Sequence, residues 1–532
     1  QAFSHFAGAI GMKGPSARAR WTGFIAILAL SIISGGWLLR RKAAPEGTVY
    51  QQARLFENVV GSIHDHYIDS IAEGDLYQTA AKGLIASLRD PYAELLSRDS
   101  YRQYQRQMSG TEVDVGSTET GNGSARSAFG PGDEILSIDG KSTVGWSARR
   151  VEEALAGGSG AVVTVVVRPW GSRTPVVRRL TRTVVHVPAA SEGIMLGGGV
   201  GYIELRRISD GASSELREAV DRLVSTGMKS LVLDLRGDPG GLINEGVRVA
   251  SLFLQSGDSV AISQGRSAGH SKAYLAGQSG EWDDLTVALL VNHGTASSAE
   301  LIAGALQDHD RAVILGTPTF GKGVLQTTYP LGDEIAIKLT TARWYTPSGR
   351  TVQRPTSDSV GGFGNRTPSQ APRLYQSKAG RPIPDASGIL PDLTVRSAPR
   401  SEGERSLLVA LGEDQGLFRS VVADFAADLK KTHPPKFQSF RITEDMRNQV
   451  YERLQQVGVD LARPVYDNAS GYVDDQLGYE ITRAVFGPIA EARRRAWADH
   501  QMSAAVRLLR RAENQEEALS IAALERAQGT NR

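Results

Sequence analysis

Between residues 187 and 345, short apolar runs alternate with stretches of helical spacing, and few folds accept a chain written this way. Ser230-Leu231-Val232-Leu233-Asp234-Leu235, Thr286-Val287-Ala288-Leu289-Leu290-Val291 and Ala312-Val313-Ile314-Leu315 are nearly unbroken by polar residues. Runs of this length suit strands buried on both faces. Gly201-Tyr202-Ile203-Glu204-Leu205 reads as one more strand. Ser213 to Ser225, Leu242 to Leu254 and Ala299 to Leu306 carry helical spacing between them. Strand–helix–strand alternation calls for crossovers and parallel pairing, which predicts a mixed α/β core.

The flanks have other characters. From Gln51 to about Met108 the pattern is helical, with Leu55, Val59, Ile63 and Tyr67 in register, and residues 43–50 read as a short linker before it. Residues 110–186 form a small mostly-β module, with strands expected at Glu134 to Ile138 and Ala161 to Val167 and one helix from Ser147 to Leu155. Residues 351–386 are polar and rich in Pro, Gly and Ser, so a long loop or insertion is expected there. From 401 to 530 the chain is helical, broken at Pro434-Pro435 and Asn468 to Gly471.

Trp21 to Leu39 holds no charge over nineteen residues, close to the ~20 that cross a bilayer as a helix. Trp21 and Trp37 stand near its ends, where interfacial aromatics belong. Lys13, Arg18 and Arg20 before it balance Arg40, Arg41 and Lys42 after it, so charge gives no orientation. A buried core helix and a cleaved signal peptide are the rival readings, the latter helped by Ser34-Gly35-Gly36. The favoured plan is a cytoplasmic segment 1–20 and a transmembrane signal anchor 21–39. An N-terminal helical region follows at 43–109 and the β module at 110–186. The α/β core spans 187–398, and a helical C-terminal region spans 399–532.

Composition removes several classes. The chain has no cysteine, which excludes thiol catalysis, disulfides, Cys-type zinc sites and iron–sulfur clusters. Lys and Arg number 60 against 58 Asp and Glu, so no basic excess marks a nucleic-acid partner. Glycine is abundant, 58 residues of 532, as expected of many tight turns or of sites where backbone N–H groups do chemistry.

Three segments of the core offer that chemistry. Asp234-Leu235-Arg236-Gly237-Asp238-Pro239-Gly240-Gly241 follows a buried strand and precedes a helix. Its paired glycines make a tight turn, or bring bare N–H groups against a developing oxyanion. Asn292 to Glu300 links another buried strand to a helix and carries Ser297 and Ser298 where the helix begins. A serine there is a cap, or a nucleophile set among free N–H groups and the positive end of the helix dipole. Gly316-Thr317-Pro318-Thr319-Phe320-Gly321-Lys322-Gly323 opens like a phosphate loop. Position 323 is then glycine, where a Ser or Thr should hold magnesium, and Val324 to Thr328 reads as strand. Lys322 between glycines reads instead as a desolvated base, or as an ordinary exposed lysine. Gly265-Arg266-Ser267-Ala268-Gly269 fits a nucleophile-elbow pattern, but the residues after it make a poor helix.

Taken in order, the three segments resemble the C-terminal processing peptidases (tail-specific proteases) of serine peptidase family S41. That family carries DLRxNPGG, then a V-N-x-x-[ST]-A-S-A-S-E segment, then T-F-G-K-G-x-x-Q. Here these fall on Asp234 to Gly241, Val291 to Glu300 and Thr319 to Gln326. Arg343-Trp344-Tyr345-Thr346-Pro347-Ser348-Gly349-Arg350, Gly388-Ile389-Leu390-Pro391-Asp392 and Ser87-Leu88-Arg89-Asp90-Pro91-Tyr92 resemble further family motifs, so the likeness runs from about 50 to 396. Gly130 to Gly140 is similar to one half of a PDZ domain, although residues 110–129 are short for its early strands and carboxylate-binding loop.

The resemblance implies Ser297 as nucleophile, with Ser298 as the runner-up because A-S-S-A-E stands where the family has A-S-A-S-E. It implies Lys322 as general base, Gln326 as its support, and an oxyanion hole from the N–H groups of Ser298 and of Gly240 or Gly241. It implies no metal or other cofactor. The expected function is a serine endopeptidase cutting proteins in their C-terminal regions, held to a membrane by its anchor, with the catalytic part on the periplasmic side. The alternative is a non-catalytic or adapter-dependent peptidase-like scaffold. Expected partners are proteins or peptides with unstructured C-terminal regions, with an adapter or a second copy as possible partners of the C-terminal helices, and no nucleic acid.

Overall fold

The computed structural model describes residues 46–117, 129, 133–143, 146, 148–168, 174–277, 281–332, 334–355 and 373–529. The proposed anchor at 21–39 therefore lies outside the described residues, as do most of the expected PDZ carboxylate-binding loop and the middle of the polar insertion. Among the described residues no helix is long and apolar enough to cross a membrane.

Residues up to Ser87 form one compact unit. Its described part is a helical pair, α1 (Glu46–His66) and α2 (Glu73–Ala86). Residues 46–50, expected in a linker, are the first turns of α1. Phe56 and Tyr77 meet with ring centroids 6.0 Å apart, and Val60 and Ile85 are buried.

The second unit begins at Leu88. The three-residue strand β1 (Glu94–Leu96) and α3 (Arg98–Ser109) lead into the β module. That module is an antiparallel sheet of β2 (Thr111–Ser117), β3 (Glu134–Ile138), β4 (Lys141–Ser142), β5 (Val162–Arg168) and β6 (Val176–His186), in the order β2-β6-β5-β3-β4. Helix α4 (Ala148–Leu155) packs on it: Val151, Ala154 and Leu155 meet Val163, Val165 and Val167. The alternate valines of β5 face inward, as a half-buried strand requires.

The core then follows the alternation read from the sequence. Its strands are β7 (Ile194–Gly197), β8 (Val200–Glu204) and β9 (Ser230–Asp234), with α5 (Ala212–Ser225) before β9 and α6 (Ile243–Ser251) after it. Strands β10 (Ser259–Gly265) and β11 (Lys272–Leu275) precede β12 (Thr286–Val291), α7 (Ser298–Asp308) and β13 (Val313–Gly316). The long hairpin β14 (Val324–Pro330) and β15 (Ala336–Tyr345) comes next. The polar insertion holds a small hairpin of its own, β16 (Leu374–Gln376) and β17 (Pro382–Pro384), before β18 (Leu393–Thr394).

Two sheets result. The central one has the order β18-β13-β12-β9-β8-β7 and is parallel except for β7 on β8. The other runs β1-β15-β10-β11, with β14 also on β15, and is antiparallel throughout. A parallel sheet must be covered on both faces. Leu231, Leu233, Val287, Leu289 and Ile314 face one core cluster with α5 and α7. Val232, Ala288, Leu290, Val313 and Leu315 face the other.

That second face is closed by the end of the chain. The C-terminal region comprises α8 (Glu402–Leu411), α9 (Gln415–Thr432), α10 (Glu444–Gln456), α11 (Arg463–Asn468), α12 (Ser470–Phe486), α13 (Pro488–Ala498), α14 (His500–Arg511) and α15 (Gln515–Gly529). Helices α8 to α12 share a core of their own around Phe418, Phe425, Tyr466 and Leu477. Met502, Ala505, Leu508, Leu509, Ile521 and Ala522 of α14 and α15 pack on the sheet.

Candidate active site

The three glycine-punctuated segments converge at the C-terminal ends of the parallel strands, where open α/β sheets place their sites. Ser297 is the N-cap of α7, with φ 55° and ψ −119°. An N-cap residue is normally extended. A serine in the left-handed half of the map is strained, and such strain collects at functional sites. Ser297 is half-buried, while its neighbour Ser298 is 0% exposed. Ser298 packs against α6, where a Cβ on Gly246 would come within 3.0 Å of Ser298 Cβ, and its hydroxyl has no hydrogen-bond partner among the described residues. The adjacent serines are thus sharply distinguished, and only Ser297 is accessible.

Lys322 lies between Gly321 and the start of β14. Its Nζ donates to Gln326 Oε1 at 2.9 Å and stands 5.0 Å from the centre of the Tyr92 ring. Gln326 Nε2 donates in turn to the Tyr92 carbonyl. The expected i, i+4 pairing is present, across a register shift between Leu325 and Gln326. Burial pushes the Lys322 amine below its ordinary range, helped by Lys338 and opposed by Asp90 and Glu300.

Glu300 joins the two segments. It is 0% exposed, one turn into α7. Its Oε2 accepts from the N–H of Ser297 at 3.0 Å and from the N–H of Lys322 at 2.8 Å. Its Oε1 accepts from Thr319 Oγ1 at 2.5 Å and from the N–H of Gly321 at 2.7 Å. Burial raises the Glu300 carboxyl, and these four donors pull against that shift. One carboxyl therefore fixes the backbone of the serine to the backbone of the lysine. Nothing in the sequence gives Glu300 a role beyond its place at the third helical position after a serine.

The Pro-Gly-Gly turn lies against Ser297. A Cβ on Gly240 would fall 2.6 Å from Ala296 O, 2.8 Å from Ser298 N and 3.0 Å from Ser297 Cβ. The N–H of Gly240 already donates to Asp238 Oδ1 at 2.7 Å. The N–H groups of Gly241 and Ser298 remain unpaired among the described residues. Of the two glycines, Gly241 is therefore the one with a donor to offer.

The outlying motifs brace this arrangement. Arg350 forms a buried ion pair with Asp308 of α7 at 2.8 Å and donates to Gln307 Oε1 at 2.7 Å. Gln307 donates to Asp392 Oδ1 at 3.0 Å, and Asp392 Oδ2 accepts from Ile314 N of β13. Trp344 Nε1 donates to the Lys322 carbonyl at 3.1 Å. Tyr92, quoted in the sequence only as part of a motif, touches both Lys322 and Gln326.

The remaining candidates do not gather here. Ser267 and His270 hydrogen-bond at 2.6 Å on an exposed loop, where Ser267 is followed by a single 3-10 turn that ends at His270 and then by β11 instead of a helix. Lys322 likewise runs into β14, so no helix N-terminus cradles a phosphate after Gly316–Gly323.

The match to peptidase family S41 covers residues 199–359, which hold all three segments. The carboxy-terminal-processing protease of Bartonella bacilliformis is 30% identical over 325 residues, 58% of this chain and 74% of its own. A probable CtpA-like serine protease of Staphylococcus aureus is 31% identical over 319 residues, 57% of this chain and 63% of its own. The solved structure of a photosystem II D1 C-terminal processing protease matches 56% of this chain and 89% of its own, at 26% identity and a TM-score of 0.33. The chain belongs to peptidase family S41.

Proposed function

We propose that this chain is a serine endopeptidase of the Ser–Lys type that cuts proteins in their C-terminal regions. Neutral Lys322 takes the proton of Ser297 Oγ as that oxygen attacks the scissile carbonyl. The N–H groups of Ser298 and Gly241 receive the oxyanion. The Lys322 ammonium then returns its proton to the leaving amine, and water releases the acyl group by the same steps in reverse. Gln326, itself held by Tyr92, steadies the amine. The observation that carries this reading is the shared Glu300 carboxyl, which accepts from Ser297 N and Lys322 N on a single oxygen. A scaffold without chemistry has no use for that arrangement or for an amine depressed by burial.

The placement outside the cytoplasm belongs to the same proposal and is supported by the uncharged stretch 21–39. The test is digestion of an unstructured protein with an apolar C-terminus. Ser297→Ala and Lys322→Ala are expected to lose about 10³-fold or more of kcat/KM. Ser298→Ala removes only a buried hydroxyl and keeps its backbone donor, so it stays within about tenfold of wild type. The wild-type rate rises with pH as Lys322 deprotonates. Cleavage that survives Ser297→Ala overturns the assignment.

A further inference from the structure

Asp238 is 0% exposed, in the turn beside Ser297. Its Oδ1 accepts from Gly240 N at 2.7 Å, and its main-chain carbonyl accepts from Ala296 N at 2.9 Å, one residue before the serine. Its Oδ2 is buried and has no hydrogen-bond partner among the described residues. An ionised carboxylate with one oxygen wholly unsolvated is far costlier than a neutral acid in the same place.

The charged groups around it do little to offset that cost. Arg207, on the segment after β8, is the cation whose field reaches Asp238, and it is paired with Glu112. Arg236, two residues earlier, is turned onto Asp234 and Asp499. On the far side of Ser297, Glu300 is engaged by its four donors and Lys322 by Gln326. Burial pushes the Asp238 carboxyl from 3.8 up to about 8, against the Gly240 hydrogen bond and Arg207.

We infer that Asp238 is a positioning residue of the acyl-transfer site that serves it only as the neutral acid. It holds Gly240 in place and keeps negative charge away from the pocket in which the oxyanion forms. The inference rests on the Ser297–Lys322 reading for its effect on rate. Ionised Asp238 would set a second negative charge beside the tetrahedral intermediate, across the N–H groups that stabilise it. Activity is then bounded on both sides, rising as Lys322 loses its proton and falling as Asp238 loses its own.

The test compares wild type with Asp238→Asn, the neutral isostere, in kcat/KM and in melting temperature from about pH 5 to pH 10. The wild-type rate should fall about tenfold per pH unit on the alkaline side, and Asp238→Asn should lose that fall. The melting temperatures test the acid without using catalysis. The unfolded Asp238 sheds its proton near its ordinary value while the folded one keeps it. Wild type therefore loses stability relative to Asp238→Asn as pH rises between the two values, and the gap levels off above. A constant gap together with an unchanged alkaline fall in Asp238→Asn overturns the inference. A widening gap beside cleavage that survives Ser297→Ala supports the buried neutral acid and removes the dyad instead. If Asp238→Asn does not fold, the wild type decides. Absence of an alkaline fall while its near-UV circular dichroism stays native overturns the inference, and presence of the fall supports it.

Discussion

Glu300 shows how much one buried side chain can organise. Its two oxygens meet four donors, two from backbone on the lysine segment, one from Thr319 and one from the serine segment. Glu300→Gln keeps the shape but supplies one acceptor oxygen and an NH₂ in place of the other. At least one backbone N–H then faces a donor in a dry site. Hydrogen bonds to a charged group contribute about 1.5–3 kcal/mol each, and a stranded buried donor costs about 1–3 kcal/mol. Glu300→Gln is expected to lose about 2–4 kcal/mol in urea unfolding, with kcat/KM falling more than KM rises, because the damage is to alignment. A loss below about 1 kcal/mol would show that the four contacts are replaceable. Ser297, Lys322 and Gln326 were named in the sequence through the resemblance to the S41 peptidases, since taken alone Ser297 also reads as a helix cap. It was silent on Glu300, since a glutamate at the third helical position also fits a helix that does nothing. Tyr92 was out of reach for a different reason, lying 234 residues from Gln326 in the chain.

The strand-to-helix turns carry the precision of the site. Those elements were legible: β12 begins and ends where its apolar run does, and α5, β9 and β13 lie within a residue of expectation. A run with no polar residue has one good environment, the middle of a covered sheet. Strand β1 was not legible, because three residues inside a helical stretch are a strand only through pairing with β15. The hairpin β16–β17 is likewise made by its partners inside a polar segment. Within the turn after β9, two glycines separate local strain from close packing. Gly237 has φ 75° and Gly240 φ 85°, so alanine is disfavoured at both. A Cβ on Gly237 meets nothing within 4 Å, while one on Gly240 lands on Ala296 O and Ser298 N. Gly237→Ala should therefore cost only the left-handed penalty, about 1–2 kcal/mol, and keep activity within about tenfold. Gly240→Ala must also displace the backbone beside Ser297, and a loss of at least about 10²-fold in kcat/KM is expected. Equal effects at the two positions, in melting temperature and in rate, would show that the turn is loose.

At the scale of the molecule, the last two helices complete the peptidase core from its far side. Their amphipathic pattern said that one face is buried but could not say against what, because any apolar surface satisfies a periodicity. The structure supplies the sheet face of Val232, Leu290 and Leu315. It also adds a polar bond between that layer and the active-site turn. Arg236, four residues before Gly240, donates to Asp499 Oδ2 at 2.6 Å and to Gln501 Oε1 at 2.8 Å. Asp499 is at the same time the N-cap of α14, its Oδ1 accepting from the N–H groups of Gln501 and Met502. Asp499→Ala removes both functions and Asp499→Asn removes chiefly the charge. A lost cap costs about 1 kcal/mol. A broken buried pair costs about 3–5 kcal/mol, but Asp499 is 30% exposed and Asp234 still holds Arg236, so a fraction of that applies. Urea unfolding should therefore find about 2–3 kcal/mol lost in Asp499→Ala and about half as much in Asp499→Asn. Because Arg236 leads directly into the turn, kcat/KM should fall in both variants at temperatures where both remain folded. Loss of stability with an unchanged rate would mean that α14 only covers the sheet, and that the turn holds its shape without the end of the chain.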